Sequence, residues 1–223
     1  MSEIHSATLL FLELCSMCMP AGSAAPKSPP PGFVRLADVA PTIVQDMRYA
    51  SADNFTGRPV PGYKAGQCWL RREVALALAA AQKDAEAQGL SLIVYDCYRP
   101  ERATKAFVVW AQDATDQAMK QAFYPRIDKS ALFEQGYISK TSTHSLGIAV
   151  DLGFISLDFG TPFDLFDATS STKHPQVDAA AKANREKLLV LMRKHGFENF
   201  EKEWWHFTFK GVDDAKPLDV EIE

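Results

Sequence analysis

No stretch of the 223 residues is long and apolar enough to span a bilayer, no segment repeats, and no heptad array runs through the chain. An integral span in the mature chain, a solenoid and a coiled coil are therefore excluded. Positive charge is also scarce. The 24 Lys and Arg against 28 Asp and Glu leave a net charge of -4, with no basic stripe interleaved with aromatics, so there is no electrostatic footprint for nucleic acid. Cysteine is scarcer still, at four. Cys15 and Cys18 fall in an N-terminal leader, and the remaining Cys68 and Cys97 are too few for a disulfide framework in a domain this large. Neither has a second ligand at metal-binding spacing, which disfavours a Cys-Cys-His zinc site. Two separate thiols are expected, although an oxidising compartment would permit them to pair. With 47% hydrophobic and 23% charged residues, the chain suits one globular domain with a sizeable core.

The N-terminus differs in character from the rest. Ala7 to Met19 is largely apolar, interrupted by Glu13, and leads into small residues and then the proline-rich run Pro26-Lys27-Ser28-Pro29-Pro30-Pro31. This reads as a signal peptide over 1–25 and a linker over 26–35, ahead of a catalytic domain over 36–211 and a tail over 212–223, which puts the mature protein in the periplasm. The n-region lacks Lys and Arg, and the other reading is a disordered leader or a mis-assigned start on a cytoplasmic protein. The sequence carries no signal for oligomeric state.

Chemistry concentrates in two segments. Ser142-Thr143-His144-Ser145-Leu146-Gly147-Ile148-Ala149-Val150-Asp151 and Glu203-Trp204-Trp205-His206 together supply two imidazoles and a carboxylate for a divalent metal, with a spare carboxylate beside them. Those are the parts of a zinc hydrolase, in which three N or O ligands leave a fourth position for water and an adjacent glutamate takes its proton. From Gly147 to Phe154 the residues alternate, with Ile148, Val150 and Leu152 on one side and Ala149, Asp151 and Gly153 on the other, the period of a strand. Trp205, Phe207 and Phe209 alternate likewise with His206 and Thr208. His206 can thus meet Asp151 across neighbouring strands. Glu203 would point away from His206 in a regular pleat, so a bend is expected around Glu203 and Trp204. A single histidine on a strand is more often a hydrogen-bonded structural residue than a ligand. His5 in the leader, His174 in a turn and His195 at a helix C-terminus have no such company and are left out.

A third segment adds a cation. Leu92-Ile93-Val94-Tyr95-Asp96-Cys97-Tyr98-Arg99-Pro100 reads as a strand ending where Pro100 opens a helix, which places Arg99 at a strand-to-helix junction. Its guanidinium either stabilises an oxyanion or forms a salt bridge with Glu101 or Asp96.

These segments, with Tyr49-Ala50-Ser51-Ala52-Asp53-Asn54-Phe55-Thr56-Gly57, resemble the D-alanyl-D-alanine dipeptidases of the VanX type, in order from about Leu36 to Phe209. The resemblance implies one zinc ion on His144, Asp151 and His206, Glu203 as general base and later proton donor, and Arg99 as stabiliser of the oxyanion. It further implies a small dipeptide as substrate, held by Ser142, by Tyr49 and by Asp164, which would face the free ammonium. Three positions depart from the family: Thr143 and Leu146 stand where serine and arginine are common, and Cys97 replaces glycine or alanine. The expected activity is hydrolysis of D-Ala-D-Ala in the cell envelope. The alternatives are a D,D-carboxypeptidase or endopeptidase on peptidoglycan stems, or a zinc-stabilised binding domain without turnover.

The scaffold reads as helices over Arg71–Gln88, Pro100–Gln112, Thr115–Ala122 and Gln176–His195, the first and last stopped by Gly89 and Gly196. With strands before, between and after them, the fold class is α+β: a small, largely antiparallel sheet covered by helices on one face.

Overall fold

The computed structural model describes residues 28–223, so the leader, His5, Cys15 and Cys18 lie outside the described residues. In chain order the elements are β1 (Phe33–Arg35), α1 (Leu36–Val39), β2 (Val44–Gln45), β3 (Trp69–Arg71), α2 (Arg72–Glu86), β4 (Leu92–Asp96), α3 (Glu101–Gln112), α4 (Lys120–Phe123), β5 (Ala149–Phe154), α5 (Ala179–Lys194), β6 (Phe197–Asn199) and β7 (His206–Phe209). A five-stranded sheet runs in the order β2-β4-β5-β7-β6, and β1 pairs with β3 in a second, two-stranded sheet. Only the β2–β4 pair of the large sheet is parallel, so the fold is the expected α+β with a largely antiparallel sheet.

The helix boundaries follow from local chemistry. α2 begins one residue later than expected because Arg71 belongs to β3, and α5 begins at Ala179 because the Asp178 carboxylate caps it, accepting from the Ala181 N–H at 2.9 Å. Gly89 and Gly196 follow the two helices at φ +73 and +83, where an L side chain is strained. The third helix shrinks to Lys120–Phe123. Upstream, Asp113 Oδ1 accepts from both the N–H and the hydroxyl of Thr115, a local turn that competes with helical hydrogen bonding. α2 and α5 pack on each other, and α5 packs on β6. Leu188, Leu189 and Met192 of α5 are buried in the core.

All six residues of β5 are buried, so the face that carries Ala149, Asp151 and Gly153 is covered as well as the aliphatic one. A Cβ at Gly153 would come within 3.2 Å of Phe159 and 3.3 Å of Trp204, and Trp204 lies flat on Phe159 at 4.1 Å. The face of β5 that carries Asp151 is therefore covered by neighbouring side chains. The C-terminal residues pack back on the domain, with Ile222 buried and bridged to Tyr63 and with Arg102 paired to Asp219 and Glu221.

The expectation of two separate thiols is wrong. Cys68 and Cys97 form a disulfide with Cα atoms 5.3 Å apart, because the segment after β4 runs beside β3, as the Tyr98 N–H bond to the Trp69 carbonyl at 2.9 Å records. Twenty-nine positions of sequence separation hid that proximity. Closing a loop of that length in the unfolded chain is worth roughly 3–4 kcal/mol. The double variant Cys68→Ala/Cys97→Ala is expected to lose about that much unfolding free energy in urea, and an unchanged midpoint would show that the crosslink adds no such constraint.

Candidate metal centre and substrate cavity

The antiparallel register of β5 and β7 sets Asp151 directly opposite His206. On the other face of β7 Phe207 is buried in the core, as is Trp205 just before the strand, and this fixes which way His206 points. His144 comes from the short 3-10 turn Thr143–Leu146 that precedes β5. Ser142 caps that turn, its Oγ accepting from the His144 N–H at 3.2 Å, and Gly147 closes it at φ +72, where a Cβ would overlap the Phe33 ring. The three groups converge. His144 Nε2 lies 3.1 Å from His206 Nδ1 and 3.2 Å from Asp151 Oδ1, and His206 Nδ1 lies 3.0 Å from the same carboxylate oxygen.

This donor set fits a metal ion. His144 Nδ1 is 2.7 Å from the Cys97 carbonyl, which only accepts, so that nitrogen carries the proton and Nε2 presents a lone pair. The lone pair and the Asp151 oxygen both face His206 Nδ1, and one proton cannot satisfy them all. A cation would. Ligand atoms 2.0–2.1 Å from a tetrahedral ion stand roughly 3.3 Å apart, close to the spacings here. Burial works against ionising Asp151, yet the two imidazoles hold its carboxyl well below the usual carboxylate range.

The other groups surround this centre. Glu203 sits in the expected bend, its N–H bonded to the Phe200 carbonyl and its own carbonyl accepting from Asn199 Nδ2 and the His206 N–H. The turn brings Glu203 Oε2 to 4.0 Å from His206 Nδ1, and burial lifts its carboxyl to about 7. Arg99 does form the salt bridge with Asp96, through Nε at 3.0 Å and Nη2 at 2.8 Å, yet it also faces Asp151 Oδ2 at 3.8 Å over the rings of Tyr49 and Phe107. Asp164 is 4% exposed and accepts from the Tyr49 hydroxyl at 2.9 Å. Burial, reinforced by the charge of Asp151, pushes its carboxyl well above the usual range.

Tyr49, Arg99, Ser142, His144, Asp151, Asp164, Glu203 and His206 all line a single cavity of about 570 Å³. His174 and His195 are elsewhere: His174 Nδ1 accepts from the Gln176 N–H, and His195 Nε2 meets Asp84 at 2.7 Å at the end of α5. Sequence reasoning treated Asp96 only as a salt-bridge partner. It is fully buried, binds Arg99 through Oδ2 and accepts from the Tyr63 hydroxyl at 2.6 Å through Oδ1. Its signal was available, because Asp96 shares the buried face of β4 with Leu92 and Val94. The β-bulge between Val94 and Asp96, which brings Asp96 into register with Asp151, had no signal.

A sequence profile described as D-ala-D-ala dipeptidase matches residues 30–220. The chain belongs to that family. The D-alanyl-D-alanine dipeptidase of Streptomyces coelicolor is 37% identical over 184 residues, 80% of this chain and 91% of its own length. The one of Enterococcus faecium is 35% identical over 185 residues, 80% of this chain and 92% of its own length. Among solved structures, a mutant of the vancomycin-resistance D,D-pentapeptidase VanY in complex with Zn(II) aligns with a TM-score of 0.41 at 16% identity, covering 70% of this chain and 80% of that one.

The three positions expected to depart from the family, Thr143, Leu146 and Cys97, make the following contacts. Thr143 Oγ1 lies 3.4 Å from His206 Nε2, as does Thr208 Oγ1, so two hydroxyls face the ring nitrogen away from the donor cluster. Leu146 contributes its carbonyl to Arg71 Nε at 2.7 Å. Cys97 contributes both a disulfide and the carbonyl that orients His144. Because Asp96 accepts from both Nε and Nη2 of the buried Arg99, Asp96→Ala is expected to cost about 3–5 kcal/mol of stability by removing the bonded partner of a buried charge. Urea unfolding would measure it, and a loss below about 1 kcal/mol would mean that Arg99 finds its compensation elsewhere.

Proposed function

We propose that this chain hydrolyses the free dipeptide D-Ala-D-Ala to two D-alanines, with one zinc ion held by His144, Asp151 and His206. The observation that carries the reading is the meeting, in one cavity, of that three-atom donor set with Glu203, Arg99 and a buried Asp164 carboxyl. Membership of the dipeptidase family supports it. Bound zinc supplies a Lewis acid with an open position for water.

The chain's own groups supply the rest. Glu203, which burial brings to about 7, is suited to take a proton from the attacking water and return it to the leaving amine near neutral pH. Arg99, in the cavity lining and 3.8 Å from Asp151 Oδ2, is the cation available to a carbonyl oxygen that gains charge, and such a donor is worth roughly 3 kcal/mol in the transition state. Ser142 and Tyr49 shape the pocket around the substrate. Asp164 gives the site its class of substrate. A carboxyl driven toward its neutral form by burial ionises at low cost only when a cation arrives, and a free ammonium is that cation. An N-acylated peptide brings none, which sets a dipeptidase apart from a carboxypeptidase acting on long stems.

The same reading puts the enzyme in the bacterial periplasm. The Cys68–Cys97 disulfide supports an oxidising compartment, and among the described residues no helix is long and apolar enough to cross a membrane.

The purified protein, given D-Ala-D-Ala with and without chelator, is expected to carry about one zinc per chain and to lose activity on chelation. His144→Ala or His206→Ala should lose the metal, whereas Glu203→Ala should keep it and drop kcat at least about 10²-fold. Full zinc occupancy in a histidine variant would remove that residue from the ligand set, and near-normal turnover without Glu203 would sink the mechanism. Asp164→Ala is expected to lose activity on D-Ala-D-Ala while narrowing its preference over N-acetyl-D-Ala-D-Ala. An unchanged preference would move amine recognition elsewhere and favour a carboxypeptidase.

A further inference from the structure

Arg185 of α5 is 1% exposed, and no carboxylate among the described residues lies within hydrogen-bonding distance of it. Burial brings its pKa down to about 10, against the pull of Asp158 and Asp178, so it stays charged at neutral pH. A guanidinium buried in this way is costly unless its donors are satisfied. Here they are spent on one loop. Nε bonds the Phe159 carbonyl at 2.7 Å, Nη1 bonds the Thr169 and Ser171 carbonyls at 3.0 and 2.7 Å, and Nη2 reaches Thr161 Oγ1 at 3.4 Å.

These acceptors bracket the residues between Thr161 and Thr169, and Asp164 lies between the brackets. Asp164 has φ +62, a left-handed conformation that a non-glycine residue holds only when its surroundings fix it. The loop is tied further inside the bracket, with Ser170 Oγ donating to the Leu165 carbonyl at 2.7 Å. Thr161 Oγ1 also accepts from Trp204 Nε1 at 2.9 Å, and the Trp204 N–H bonds the Ser170 carbonyl at 3.0 Å. One clamp thus holds both feet of the Asp164 loop and the residue next to Glu203. Arg185 itself does not line the cavity.

We propose that Arg185 is a positioning residue for recognition of the substrate ammonium: by clamping both feet of the loop it holds Asp164 in its strained conformation, with the carboxyl in the cavity. This rests on the reading of Asp164 as the ammonium's partner. A lysine has the charge but not the planar fork, so Arg185→Lys keeps only part of the clamp. Thr161→Val removes an acceptor shared by Arg185 Nη2 and Trp204 Nε1 and leaves the guanidinium in place.

Steady-state kinetics on D-Ala-D-Ala and N-acetyl-D-Ala-D-Ala, with zinc content and Tm recorded, test it in the wild type, Arg185→Lys, Thr161→Val, Asp164→Ala and Arg185→Lys/Asp164→Ala. Arg185→Lys is expected to raise KM for the free dipeptide about tenfold, with a smaller change in kcat, and to narrow the preference for the free amine by a similar factor. Thr161→Val should move in the same direction by less, and it decides the matter if the lysine variant fails to fold. In the Asp164→Ala background, Arg185→Lys should narrow the preference no further. If Asp164→Ala narrows the preference but Arg185→Lys and Thr161→Val lower both substrates equally, Arg185 is structural and the positioning role is overturned. If Asp164→Ala leaves the preference unchanged, the reading of Asp164 fails first and takes the proposal with it.

Discussion

The pairing of Asp151 with His206 across β5 and β7 is the constraint on which the site depends. A strand shifted by one residue turns every side chain to the other face. The register here is held by Phe207 and Val150, a directly opposed pair that is fully buried on the apolar side. The same packing that secures the core therefore sets two of the three donor atoms 3.0 Å apart. Slippage would bury His206 in the core and turn Phe207 out of it, an outcome opposed by about 1.5–3 kcal/mol from the aromatic side chain alone.

Around that pair the chain buries charge that hydrophobic packing alone would reject. Asp96, Asp151 and Asp164 are each no more than 4% exposed, and Arg99 is the guanidinium set among them. Burial drives the Asp164 carboxyl toward its neutral form, so ionising it beside Asp151 needs a further cation. Two cations answer it in the proposed reaction, a metal at Asp151 and the substrate ammonium at Asp164.

The rigidity that such a cluster needs comes from groups outside the donor set. The Cys97 carbonyl fixes the His144 ring while the Cys97 side chain is tied to Cys68. Asn199 Nδ2 bonds the carbonyls of both Glu203 and His206, which sets the bend between β6 and β7. Tyr49 joins Asp164 to an aromatic cluster with Phe55, Tyr63 and Phe107. Polar groups held by packed neighbours keep their geometry without ligand, which is the preorganisation that catalysis exploits.

Much of this was legible in the sequence, for reasons that differ by residue. Asp151 and His206 could be read because strand alternation is local, His144 because it stands in the same segment as Asp151, and Glu203 because its wrong parity required a bend. The helices with glycine stops could be read for the same reason, since caps and breakers act within a few residues. Asp164 and Tyr49 came only from family resemblance, because nothing local distinguishes an aspartate in a turn from one in a pocket. Three things were decided by tertiary structure alone: the Cys68–Cys97 bond, the bulge that brings Asp96 beside Asp151, and the reach of Arg185 to both feet of the Asp164 loop. Each depends on segments distant in sequence arriving at the same place. The periodicity of one segment states which face is buried, but it carries no information about what the other segment presents to it.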